Sequence, residues 1–130
     1  MPRQIALEPD VTSPADARLF VTHWTRAWGY RSLISAAALL TSELATNAVI
    51  HAASPFSVDV ANTGHGIHVT VRDPSPAPVE LRDPSQIDEH GRGLRVVAAV
   101  SSAWGSEPVG GDGKAVWFEL DVRQVDTHLD

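Results

Sequence analysis

The strongest constraint on the fold is a long helix-forming segment, residues 32–53, that two strand-like segments follow directly. The segment consists mostly of good helix formers, and Ser54-Pro55 ends it because proline lacks the N–H that continues the helical hydrogen bonds. Apolar and polar residues then alternate over 56–60 and again over 67–71, with the turn sequence NTGHG between the two runs. This succession predicts a helix packed against a β-hairpin.

A first helix is predicted before this segment. Ser13 is placed as its N-cap, Pro14 occupies the first helical position, and Gly29 ends it. Apolar residues recur at helical spacing between these limits and include Trp24 and Trp28. The tryptophan-bearing face of this helix is a candidate surface for a dimer or for a partner protein.

The remaining elements are short and complete a two-layer arrangement. They are three strands and a short helix, over residues 3–8, 103–105, 115–122 and 91–100. Two or three helices on one face of a mostly antiparallel sheet make an α+β two-layer sandwich. We expect a single domain over residues 1–130, with its core at about 5–122 and a frayed tail at 123–130.

Charge and composition exclude several classes of protein. Ten Lys and Arg residues against sixteen Asp and Glu residues give a net charge of −6, which disfavours direct binding to nucleic acid. Cysteine is absent, so disulfides, thiolate metal sites and cysteine nucleophiles are excluded. No apolar run approaches the ~20 residues of a membrane span, and the N-terminal residues do not form a secretory signal. We therefore expect a cytoplasmic protein that does not bind a membrane.

The long helix carries polar residues on the face that its apolar residues predict to be buried. At about 100° per residue, the predicted buried arc holds Leu33, Ala36, Ala37, Leu39, Leu40, Leu44, Ala48 and Ile50, and the opposite arc holds Ser35, Thr41, Ser42, Ala45, Thr46 and Val49. Glu43, Asn47 and His51 fall inside the apolar arc at i, i+4 and i+8. An unpaired buried carboxylate is costly. The polar groups of this stripe are therefore either paired with other side chains or line a pocket. In a pocket, a carboxylate base and an amide oxygen on one rigid helix suit metal-assisted phosphoryl chemistry.

A second group of candidate residues lies in the other half of the chain. Asp73 ends a predicted strand, where a carboxylate can accept a hydrogen bond from an exocyclic amine such as that of adenine. Residues 91–94, GRGL, would supply backbone N–H groups at a helix N-terminus, a favourable place for phosphate. This motif alone is weak, because the third glycine of a dinucleotide fingerprint and any Walker sequence are missing. The absence of His-Glu-x-x-His and Gly-x-Ser-x-Gly disfavours a zinc enzyme and a serine hydrolase.

Four boxes in this order identify a family. ELATNAVIH at 43–51, VRD at 71–73, GRGL at 91–94 and GKAVW at 113–117 resemble the GHKL ATPase superfamily, and in particular its small bacterial anti-sigma-factor serine/threonine kinases. The resemblance covers about residues 5–122. It implies a Bergerat-type fold, ATP and Mg²⁺ as ligands, and a sigma factor and an anti-sigma-factor antagonist as protein partners.

The resemblance also implies a role for individual residues. Glu43 would polarise or deprotonate the attacking hydroxyl, Asn47 would ligate the Mg²⁺ that bridges the ATP phosphates, and Asp73 would bind the adenine amino group. The other positions implied to contact the nucleotide are His51, Ser75, Gly91, Arg92, Gly93, Leu94 and Lys114. Residues between Asp73 and Gly91 would form the ATP lid.

Two departures from the family pattern support a rival hypothesis. The first glycine box reads DPSPAP at 73–78 instead of Asp-x-Gly-x-Gly. Ala115 stands where the family often has a threonine whose hydroxyl helps to hold adenine, so the resemblance implies that one adenine contact is missing. Both favour a non-catalytic ATP-binding regulator that acts by sequestering a partner, whereas Glu43 favours a kinase. A histidine-kinase catalytic fragment is disfavoured, because we find no preceding helix pair with a phospho-accepting histidine. A purely structural α+β interaction domain would leave the polar stripe as a coincidence.

Overall fold

The computed structural model describes residues 3–52, 54–73, 97, 100–109 and 113–123, with the side chains of residues 51, 52 and 109 excepted. In this part of the chain the main elements are β1 (Arg3–Leu7), α1 (Ser13–Ala27), α2 (Ile34–Ala52), β2 (Phe56–Asn62), β3 (Gly66–Asp73), β4 (Ala103–Val109) and β5 (Gly113–Asp121). A single 3₁₀ turn, Arg31–Leu33, leads into α2.

The five strands form one sheet in the order β1-β2-β3-β5-β4, and each neighbouring pair is antiparallel. The predicted hairpin is present as β2 and β3, with Val58 opposite Val71 and Val60 opposite Val69. The helices pack on each other, and α2 packs against β3 and β5. The predicted α+β two-layer fold with a mostly antiparallel sheet is thereby confirmed.

The hydrophobic core lies between the helices and the sheet face that alternate strand residues build. Residues of this face that are at most 8% exposed include Phe56, Val58, Val60, Ile67, Val69, Val71, Val116, Phe118 and Leu120. Val97 is fully buried in the same core. The rest of the predicted helix at 91–100 lies outside the described residues, except Val100, which is also helical.

The beginning of α1 differs from the prediction by one residue. Thr12, not Ser13, is the N-cap, and its side chain makes no capping hydrogen bond. The Ser13 hydroxyl instead donates to the Glu8 carbonyl, so it ties the start of α1 to the end of β1. The sequence pattern of serine, proline and acidic residue is therefore shifted inward by one position.

The end of α1 follows the prediction. Gly29 has a φ of 87°, which glycine adopts without the steric cost that a Cβ brings. Its N–H donates to the Arg26 carbonyl, and the Tyr30 N–H donates to the Thr25 carbonyl. These two bonds form a Schellman motif and satisfy two carbonyls that the helix end would leave unpaired.

The buried arc of α2 is rotated from the predicted one. Leu39 and Ile50 are 44% and 46% exposed, whereas Thr41 and Ala45 are fully buried. The reason is that α2 is covered from two directions, by the sheet and by α1. The Thr41 hydroxyl is buried and has no hydrogen-bond partner within the described structure.

One described segment, Arg31–Ile50, has the length and apolar composition of a membrane span. Serines, threonines and Glu43 interrupt the leucines and alanines of this segment, so it contains no uninterrupted apolar run of that length. Core helices of soluble proteins meet the same criteria. In this fold Leu33, Leu40 and Leu44 of the segment belong to the hydrophobic core.

An ion pair ends β5. The Arg123 guanidinium donates to both oxygens of the Asp121 carboxylate, over 3.1 and 2.7 Å, and these bonds lower the pKa of Asp121 to about 2. Because this folded-state pKa lies below that of an unfolded aspartate, the pair stabilises the fold above about pH 4. That contribution is lost as the pH falls from about 4 to about 2.

We expect the Arg123→Gln variant to raise the pKa of Asp121 from about 2 toward its ordinary value of 3.8. The neutral amide removes the charge-assisted hydrogen bonds that favour the ionised carboxyl. NMR titration of the aspartate carboxyl carbons measures the change, and Arg31→Gln at an exposed position serves as the control. A pKa that stays near 2 in Arg123→Gln would show that another group holds the carboxylate.

Candidate functional site

Helix α2 presents the first two candidate residues one turn apart. Glu43 and Asn47 are both half-buried, and residues at i and i+4 carry their Cβ atoms about 5–6 Å apart. They lie at the margin of the buried arc instead of inside it, because that arc is rotated toward Thr41. At this margin both side chains reach solvent, which a residue that acts on an external substrate requires.

His51 continues the stripe of polar positions along α2. Its backbone is helical and lies two turns after Glu43, and the described structure does not include its side chain. Near the first of these positions, Arg18 of α1 donates a hydrogen bond to the hydroxyl of Ser42 over 3.2 Å. This bond links the two helices directly beside Glu43.

Asp73 ends β3 on the sheet face that the helices cover. Ile67, Val69 and Val71 occupy this face, and strand alternation places Asp73 on it too. Asp73 is only 7% exposed. A carboxylate with so little access to solvent requires polar groups around it, from the protein or from a ligand.

Lys114 of β5 lies directly opposite Asp73 across the two strands. Ala115, the next residue, pairs with Arg72 and has its side chain on the other face of the sheet. Ala115 therefore cannot approach a ligand held at Asp73, and the expectation that it costs the site an adenine contact is wrong. Lys114 is the residue of this box that lies beside Asp73.

The structure brings four of the site residues predicted from the sequence to one side of the sheet, namely Glu43, Asn47, Asp73 and Lys114. Helix α2 carries the first two, and it packs against β3 and β5, which carry the other two. The remaining predicted positions lie outside the described residues; they are Ser75, Gly91, Arg92, Gly93 and Leu94.

The donor set on α2 fits a hard cation that is shared with phosphate. Mg²⁺ prefers oxygen ligands and usually takes only one or two from the protein, with phosphates and water completing its shell. The Asn47 amide oxygen and the Glu43 carboxylate are such oxygens. No cluster of three or more His, Cys, Asp or Glu side chains that could hold a metal is found among the described residues. A magnesium ion held by these two oxygens would take its other ligands from phosphate and water.

Comparison with known families assigns this chain to a class of protein. The model of the histidine kinase-like ATPase domain matches residues 7–120, so the chain belongs to that family. This confirms the GHKL superfamily that the four boxes predict, and it identifies the chain as a nucleotide-binding domain of the ATPase type.

Comparison with individual proteins adds a structural neighbour. The chain is similar to the crystal structure of the RsbU and RsbW domains of Rv1364c from Mycobacterium tuberculosis, with a TM-score of 0.70 and 20% sequence identity. The match covers 93% of this chain and 32% of that one, so the chain spans about a third of its neighbour's length. No curated protein matches the sequence. At this identity the neighbour supports the fold.

Proposed function

We propose that this chain is a protein serine/threonine kinase of the anti-sigma-factor type, which uses Mg·ATP to phosphorylate an antagonist protein. The observation that carries the proposal is the placement of Glu43 and Asn47 on α2, on the same side of the sheet as the buried Asp73. The fold similarity to a structure that contains an RsbW domain supports the same subgroup.

The transfer step follows from what Glu43 can do. The hydroxyl oxygen of a substrate serine attacks the γ-phosphorus of ATP, and the hydroxyl proton passes to the Glu43 carboxylate. The bond between the γ-phosphorus and the β–γ bridging oxygen breaks, so the products are phosphoserine and ADP. Since phosphoryl transfer needs little covalent chemistry from the protein, positioning and electrostatics carry most of the catalysis.

The other residues hold the nucleotide. Asp73 accepts a hydrogen bond from the adenine amino group, and Asn47 provides an oxygen for the magnesium ion. When bound, Mg²⁺ neutralises charge on the phosphates. The sequence GRGL at 91–94 would add backbone N–H groups and one guanidinium toward the triphosphate.

The partners that we propose are proteins. A net charge of −6 disfavours contact with DNA, so an effect on transcription would run through a sigma factor and its antagonist. We propose that the protein acts in the cytoplasm and that the tryptophan-bearing face of α1 is the candidate surface for a homodimer or a partner. The tryptophan-bearing face of α1 is partly occupied within the chain, because Trp24 and Trp28 pack against the core and Arg3 lies 4.3 Å from the ring centroid of Trp24.

The test is incubation of the protein with γ-labelled ATP and candidate antagonist proteins from the same genome. Label should move to one antagonist, and replacement of its acceptor serine by alanine should abolish the transfer. The assay also contains a sigma-factor partner that has been verified independently. If the protein binds Mg·ATP there but transfers no label to any candidate, the result would support the non-catalytic regulator instead.

One feature of the sequence still supports the non-catalytic ATP-binding regulator. The segment DPSPAP at 73–78 replaces the glycines of the first glycine box with proline and side-chain-bearing residues, which restricts the backbone. Ala115 no longer supports it, because the side chain lies on the opposite sheet face from Asp73. Transfer to an antagonist would exclude this alternative.

A further inference from the structure

Asp73 and Lys114 bring a hydrogen-bond acceptor and a donor together at one end of the sheet. They are directly opposite each other across β3 and β5, and directly opposed residues carry their Cβ atoms about 4.5–5.5 Å apart on one face. Asp73 is 7% exposed and Lys114 is half-buried. A ligand that contacts one of these side chains is therefore within reach of the other.

The two side chains have opposite hydrogen-bonding character. An ionised carboxylate only accepts hydrogen bonds, whereas a lysine ammonium only donates them. Their cross-strand pairing therefore presents one acceptor and one donor side by side. Such a pair is complementary to any ligand edge that offers a donor and an acceptor on neighbouring atoms.

Purine bases offer that edge in two forms. Adenine donates from its 6-amino group and accepts at N1. A 6-oxopurine, such as guanine or hypoxanthine, accepts at its 6-carbonyl and donates from N1–H. The donor and the acceptor exchange places between the two forms, and a carboxylate beside an ammonium can satisfy either order. If the sugar and phosphates hold the ring with its 6-position at the carboxylate, a carboxylate without the ammonium would accept from the adenine amino group and would repel the 6-carbonyl.

We propose that Lys114 sets the base selectivity of the nucleotide site, and that with Asp73 it admits 6-oxopurine triphosphates as well as ATP. The inference rests on the proposed function, since it assumes that a purine base lies at Asp73. Ala115 cannot have this role, because its side chain is on the opposite face of the sheet. Lys114 is the only lysine in the sequence, so one substitution removes this donor.

The test compares Mg·ATP with the magnesium complex of inosine triphosphate by calorimetric titration of the full chain. Inosine triphosphate is the sharper probe, because hypoxanthine differs from adenine only at the 6-position and in the proton on N1. The wild-type protein should bind both nucleotides with affinities within about tenfold. Lys114→Thr should raise the preference for ATP at least about tenfold. Adenine keeps the hydrogen bond from its amino group to Asp73, whereas the 6-carbonyl loses its charge-assisted donor and lies against the carboxylate.

Two further variants control the experiment. Lys114→Arg keeps a cationic donor and should keep the wild-type ratio of affinities. Arg72→Thr removes the same charge from the exposed residue beside Asp73, on the opposite face, and should also keep that ratio.

Three results would overturn the inference. A strong ATP preference in the wild-type protein would show that Lys114 does not admit 6-oxopurines. An equal ratio in wild type and Lys114→Thr would show that another group reads the base. If the wild-type protein bound neither nucleotide, the proposed function would fail as well, whereas ATP binding with either of the first two results would leave it standing.

Discussion

Glu43→Gln is expected to lower phosphoryl transfer to the antagonist by about 10²–10⁴-fold, the usual range for loss of a general base. The amide has nearly the shape of the carboxylate, but it cannot take the proton of the serine hydroxyl. The rate is measured under single-turnover conditions with γ-labelled ATP. Calorimetry on the same variant should still detect Mg·ATP, which separates lost chemistry from lost binding.

Glu107→Gln is the matched control for this variant. Glu107 is an exposed residue of β4, so the same change of charge is made away from α2. Its transfer rate should equal that of the wild type. Equal rates in wild type and Glu43→Gln would contradict the assignment of Glu43 as the base.

Phe118→Ala is expected to reduce the free energy of unfolding by about 3–5 kcal/mol. Phe118 is the largest of the fully buried side chains among the described residues. It lies opposite Val69 on one neighbouring strand and Trp104 on the other, so its loss leaves a cavity between the helices and the sheet. Small domains have only about 5–15 kcal/mol of stability, so this variant should lose a large part of it.

Urea denaturation followed by tryptophan fluorescence measures this loss. Val11→Ala is the control, because Val11 is 91% exposed and its truncation should change stability by no more than about 0.5 kcal/mol. A loss below about 1 kcal/mol for Phe118→Ala would mean that the core closes around the missing ring.

The strands could be predicted because alternation specifies both an element and its buried face. Val58, Val60, Val69 and Val71 are buried where alternation predicts, and the turn between their strands sets which residues pair. The end of α1 could be predicted for a similar local reason, since Gly29 supplies a backbone conformation that other residues rarely adopt.

The helical period of a sequence does not predict features that depend on neighbouring elements of the fold. The helical period places Thr41 and Leu39 on arcs of α2, but it does not show that α1 covers the side with Thr41 and leaves Leu39 exposed. The Ser13 hydroxyl binds the Glu8 carbonyl because β1 ends nearby, and the local pattern of a helix cap contains no such information.

In the candidate site, too, some features follow from local spacing and others depend on residues distant in sequence. Spacing alone places Glu43 and Asn47 one turn apart on one helix. The pairing of Asp73 with Lys114 joins residues about 40 positions apart in sequence, and it depends on the register of β3 against β5. Because side chains alternate between the two faces of a sheet, the same register places Lys114, and not Ala115, on the face of Asp73. The domain limits and the functional roles of all the predicted site residues stay predictions.

Calorimetric titration of Mg·ATP into the wild-type chain and Asp73→Ala tests the central claim most directly. We predict saturable binding of one ATP per chain, and at least about tenfold weaker binding in the variant, because a buried carboxylate no longer accepts from the base. Thermal unfolding of the variant checks that it is folded. A wild-type protein with neither saturable heat nor a thermal shift in Mg·ATP would contradict the assignment of this site to a nucleotide.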